Sequence, residues 1–144
     1  MQKIITFVLM LFISTTAVMA DSTDKMVHDA QSKFQHELSR CGVFYEILAG
    51  CLSDEDTQKN EITTLSKKTI QQAMQLGLKV NMKIDKILSG LRQERASLIS
   101  DIEGKCANYS VIVQQNYANC THVSKLAEKL VKNWRPEDRG SAAE

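Results

Sequence analysis

Cys41-Gly-Val-Phe-Tyr-Glu-Ile-Leu-Ala-Gly-Cys51 and Cys106-Ala-Asn-Tyr-Ser-Val-Ile-Val-Gln-Gln-Asn-Tyr-Ala-Asn-Cys120 are the two segments whose reading decides the fold. They hold all four cysteines of the chain. If both are helical, a rise of about 1.5 Å per residue sets Cys41 and Cys51 roughly 15 Å apart and Cys106 and Cys120 roughly 21 Å apart. A disulfide needs Cα atoms within about 7 Å. Neither segment can close on itself, so the bonds must join one segment to the other.

Outward from these segments the chain reads as helix. Val27, Ala30, Phe34, Leu38, Cys41, Tyr45 and Leu48 recur at steps of three and four, the stripe of an amphipathic helix over about 27–51. Ser53 then suits an N-cap, with Asp54, Glu55 and Asp56 at the positive end of a second helix. That helix, about 57–89, carries Ile62, Leu65, Thr69, Ala73, Leu76, Val80, Ile84 and Ile87. Ser89-Gly90 is the preferred turn, because glycine past a helix end adopts left-handed angles at little cost. A rival break lies at Ser100-Asp101-Ile102-Glu103, which has the form of a capping box, close to Gly104. A third stripe, about 91–134, runs through Leu98, Ile102, Cys106, Tyr109, Val113, Tyr117, Cys120, Ala127, Val131 and Trp134.

These elements predict an all-α, up-down-up three-helix bundle stapled by two disulfides between the first and third helices. In that topology the first and third helices are parallel. Cys120 then rises to within about 7 Å of the level of Cys51, whereas Cys51 would have to reach Cys106 across roughly 28 Å. The expected pairs are Cys41 with Cys106 and Cys51 with Cys120.

The N-terminus has Lys3, an apolar run over residues 4–13, and small residues at Val18 and Ala20 ahead of Asp21. This is the pattern of a cleavable secretory signal, residues 1–20. Its apolar core is well short of the roughly 20 residues of a membrane-spanning helix. An exported address, periplasmic or secreted, agrees with an even set of cysteines. Loss of Lys3 would leave 17 basic against 17 acidic residues. Such a balance gives no electrostatic reason for a nucleic-acid partner, and no aromatic residues interleave with the lysines. Beyond Trp134 the polar stretch 135–144 contains the only proline, Pro136, and is expected to be a disordered tail.

Chemistry-bearing residues are sparse. His28 and His36 diverge by about 80° around a helix, too far for chelation. With the cysteines widely spaced, no metal or cofactor site is expected. His122, two residues past Cys120, is the one candidate base for a hydrolase. Lys68, Lys79, Lys83 and Lys86 form a basic ridge that would suit an anionic surface. Phe44, Ile47 and Trp134 are the candidate partner contacts, because the first two widen the apolar face beside Cys51 and the third is a large anchor near the chain end. Asn108-Tyr109-Ser110 and Asn119-Cys120-Thr121 match the glycan acceptor triplet.

Cys41-Gly-Val-Phe-Tyr45, with Tyr117-Ala-Asn-Cys120 and Trp134, resembles a group of small bacterial exported helical proteins that carry an early Cys-x-x-Phe/Tyr-Tyr segment. The resemblance implies an exported address and brings no activity or site. Twinned cysteine helices also occur in mitochondrial hairpin proteins with nine residues between cysteines, but the second spacing here is thirteen and an export signal is present. The expected function is a non-enzymatic exported module for protein contact or envelope structure. The alternative is a binder of a small apolar ligand or lipid between the helices.

Overall fold

A computed structural model describes the backbone of residues 2–133 and the side chains of residues 23–130. The side chains of the expected signal peptide, Trp134 and the tail 135–144 lie outside the described residues. Four helices follow in order: α1 (Gln2–Cys51), α2 (Lys59–Lys79), α3 (Ile84–Asp101) and α4 (Tyr109–Asn133), the last preceded by a single 3-10 turn at Cys106–Asn108. Among the residues with described side chains, 23–130, no helical stretch is long and apolar enough to cross a membrane.

α1 is the axis of the bundle. It packs against all three other helices, most extensively α2, while those three barely touch one another. The reason is legible in Cys41-Gly-Val-Phe-Tyr45, five consecutive buried residues. A helix that is apolar all round must be covered all round. Gly42 lets α2 come close: a Cβ there would lie 2.6 Å from Ile70 Cγ1 and 3.0 Å from the Ile70 backbone nitrogen. The Ser66 hydroxyl donates to the Gly42 carbonyl across the same contact, at 2.9 Å. Leu38 and Phe44 of α1, Leu76 of α2, Ile87 and Leu98 of α3 and Ile112 of α4 are among the fully buried side chains of one continuous core.

The three-helix expectation fails at two places. The expected second helix ends at Lys79, eleven residues before Gly90. Asn81 takes a left-handed φ of 60°, its N–H bonds the Leu78 carbonyl, and the Met82 N–H reaches back to Gly77 O at 2.9 Å. This is a Schellman stop with asparagine, the usual stand-in for glycine, at the left-handed position. Ser89 and Gly90, the preferred turn, instead lie inside α3. The rival break is a real break of the opposite kind: Ser100 to Glu103 close a helix instead of opening one. Glu103 (φ 52°) and Gly104 (φ 67°) are left-handed, and the Gly104 N–H bonds Ile99 O at 2.9 Å.

The extra reversal changes the topology to up-down-up-down and makes α4 antiparallel to α1. The expected disulfides are therefore exchanged. The bonds are Cys41–Cys120 and Cys51–Cys106, each with Cα atoms 5.1 Å apart, and both join α1 to the segment of α4 and its leading 3-10 turn. Helical rise still sets the level of each cysteine, and the additional reversal after Lys79 exchanges which of them share a level.

The start of the second helix also shifts. Ser53 does not cap it; α2 begins at Lys59, after a loop in which the Gln58 N–H donates to Asp56 Oδ1 at 2.8 Å. Lys59 folds back to hydrogen-bond and pair with Asp54, which holds that carboxyl below its ordinary value.

Candidate functional site

Because α2 and α4 both pack on α1 and scarcely meet each other, a groove of about 390 Å³ runs between them. Topology makes these two helices parallel, so their side chains march along the groove in step. Its floor is Tyr45 and Leu48 of α1, one wall is Ile62 and Leu65 with Gln58 and Glu61 from the start of α2, and the other is Tyr117, Thr121 and Ser124 with Lys125 and Glu128 of α4. Positions 117, 121, 124 and 128 fall at steps of four, three and four, one face of α4 beside the face that Cys120, Val123 and Ala127 turn to the core. At one end the walls are tied by an ion pair, Lys68 Nζ to Glu128 Oε1 at 2.5 Å.

Ser124 is the distinctive group. Its side-chain oxygen is buried and, alone among the buried side-chain nitrogen and oxygen atoms of the described residues, has no hydrogen-bond partner. The residue is only 8% exposed. A helical serine or threonine commonly returns its hydroxyl to the carbonyl four residues back, as Thr121 does to Tyr117 at 2.8 Å. Ser124 does not. A buried hydroxyl left unpaired costs about 1–3 kcal/mol, and this one belongs to a residue that lines a groove with an apolar floor and charged groups, Glu61, Lys125 and Glu128, on its walls.

A second hollow of about 440 Å³ lies between α1 and α3, lined by Gln35, His36, Ser39 and Met82 among others. Its buried polar groups pair with each other: Gln35 donates to Ser39 at 3.1 Å. Next to it, Glu94 is nearly buried and receives Arg40 at 3.1 Å, with His36 at 3.4 Å. Arg40 also donates to Asn116 at 2.9 Å, so this network ties α1 to both α3 and α4. It reads as a fully partnered structural clamp.

The expected contact residues are dispersed. Phe44 is fully buried in the core, with its ring 5.1 Å from that of Tyr45, so it offers no surface to a partner. It is covered because α1 is surrounded on every side. Ile47 is partly buried against the same core, and Trp134 lies outside the described residues. His28 bonds the Val80 carbonyl at 3.1 Å, and His122 is exposed. No group of three or more metal-ligating side chains occurs among the described residues. Of the acceptor asparagines, Asn119 donates to Glu37 at 2.9 Å and Asn108 to the Ile102 carbonyl at 3.2 Å. The basic ridge divides, Lys68 joining the groove and Lys79, Lys83 and Lys86 lying exposed towards the opposite end of the bundle.

Ser124 was passed over in the sequence because the third stripe jumps from Cys120 to Ala127. Filling that gap at the regular spacing gives Val123 and Ser124, a small polar residue at a core-edge position. No protein-family model, curated protein or solved structure matches this chain.

Proposed function

We propose that the chain is an exported, non-catalytic binding domain that holds a small, largely apolar molecule bearing one polar group in the groove between α2 and α4. The observation that carries this reading is the unpaired, buried hydroxyl of Ser124, a residue that lines the groove beside Tyr45, Leu48, Ile62 and Leu65. Ligand sites typically combine an apolar lining of a few hundred Å³ with one or a few placed polar groups. A hydroxyl both donates and accepts, so a ligand carbonyl, hydroxyl or amide would satisfy it. Binding is favoured over catalysis because a nucleophilic serine needs a base within hydrogen-bond reach. Ser124 has no such partner, and the nearby Glu128 is engaged by Lys68. Export is supported by the N-terminal pattern and by the two disulfides, a bond type that persists in oxidising compartments.

The test is native mass spectrometry of protein recovered from the exported fraction, with Leu65→Trp as the groove-filling variant. The expected spectrum carries an extra mass of a few hundred daltons that denaturation releases, and Leu65→Trp removes it while the helical circular dichroism is unchanged. The reading fails if the wild-type protein shows only its own mass and also fails to enhance the fluorescence of N-phenyl-1-naphthylamine, an apolar groove probe.

A further inference from the structure

The end of the bundle formed by the α2–α3 turn carries an exposed surface that the groove does not use. Leu78 is 53% exposed, Ile84 42% and Leu88 38%, the last two one helical turn apart on α3. The Schellman stop folds Leu78, Met82 and Ile84 into one tight reversal. Met26, 73% exposed, and Val27 lie on α1 next to His28, whose bond to the Val80 carbonyl fixes that part of α1 against the turn. Lys79, Lys83 and Lys86 are exposed among these apolar side chains, and Lys25 adds a fourth cation from α1. Asp85 is the one acid in the turn, and Asp24 and Asp29 are the acids of the adjoining stretch of α1. The turn itself is therefore cationic and apolar together.

We infer that this tip docks on the surface of an anionic lipid bilayer, its lysines meeting the headgroups and Leu78, Ile84 and Leu88 entering the headgroup–acyl boundary. Interleaved lysines and large aliphatic side chains are the composition of interfacial anchors. The surface is the outside of a turn, which suits a broad fluid partner better than a shaped pocket. Each lysine near an anionic leaflet contributes about 1 kcal/mol, reduced by salt.

The experiment is flotation of the purified chain with vesicles of phosphatidylcholine alone or mixed with an equal part of phosphatidylglycerol, at low and physiological salt. The quantity read is the gain in binding on adding the anionic lipid, compared between each variant and the unsubstituted protein with the same N-terminus, because Lys3 and the apolar run 4–13 add their own affinity where they remain. Lys83→Gln with Lys86→Gln is expected to lower that gain on the order of 30-fold. Leu78→Ser with Ile84→Ser is expected to weaken binding to the mixed vesicles. All four sites are exposed, and circular dichroism verifies that the variants fold. Equal binding to both vesicle types, or an undiminished gain in the lysine variant, overturns the inference and assigns the patch to another class of partner. Neither result bears on the groove, which the Leu65→Trp comparison tests separately.

Discussion

Thr63, Thr64, Thr69 and Thr121 each return their hydroxyl to the carbonyl four residues back, at 2.8 or 2.9 Å, and buried Ser39 and Ser66 bond Gln35 and Gly42, whereas the buried Ser124 hydroxyl has no partner. That contrast has opposite consequences for stability and for binding. In ligand-free protein Ser124→Ala removes an unsatisfied group and substitutes a better helix former, so it should stabilise the fold by about 1 kcal/mol. In the loaded protein it removes the hydrogen bond proposed between Ser124 and the ligand, and affinity should fall about fivefold to tenfold. Thermal melts of delipidated wild type and variant check the first, and probe or ligand titration checks the second. A lower melting temperature in the stripped variant would mean that the hydroxyl has a partner within the chain, and the binding reading would lose its support. Glu94 and Asn116, paired with the partly exposed Arg40, illustrate the other kind of buried polar residue. Arg40 satisfies both, so the same chemistry that signals a site at Ser124 signals only architecture there.

At the scale of elements, glycine substitutions separate the four-helix arrangement from the three-helix one. Gly90 lies within α3, and a Cβ built there meets nothing within 4 Å. Gly90→Ala should stabilise by about 0.5–1 kcal/mol through helix propensity alone; in a turn with left-handed angles it would do the reverse. Gly42→Ala should cost about 2 kcal/mol, because the new methyl meets the α2 backbone as well as Ile70 and the helices must part. Urea melts of the two variants give both signs. The stripes themselves were readable: Leu38, Cys41, Leu76, Ile87, Leu98 and Cys120 all occupy the core that their spacing assigned. The turn after Lys79 was not, because Leu76, Val80, Ile84 and Ile87 keep a helical spacing straight through it. Val80 and Ile87 are buried on both sides of the reversal, since each helix of the α2–α3 hairpin turns one face to α1, while Ile84 at the reversal is 42% exposed. The single local mark was Asn81, a residue that tolerates left-handed angles.

Over the whole molecule the two disulfides divide the labour unequally. Both fasten α4 to the central helix, across sequence separations of 79 for Cys41–Cys120 and 55 for Cys51–Cys106. In the chain-entropy account either bond alone is worth about 4 kcal/mol. Their surroundings differ far more than their loops do. Cys41 and Cys120 are fully buried in the core, whereas Cys106 is exposed in the segment that leads into α4 and Cys51 is partly so. A thiolate must reach a sulfur to break the bond, so dilute dithiothreitol under native conditions should open Cys51–Cys106 first. Alkylation followed by peptide mass analysis should label Cys51 and Cys106 while Cys41 and Cys120 stay protected, with helicity retained. Simultaneous labelling of all four would show that the bundle opens cooperatively and that its core shields nothing. The expected order follows from the same all-round burial of α1 that placed Phe44 out of reach of any partner. The bond set among core residues is protected by packing, and the bond at the end of the bundle is protected only by its own chemistry.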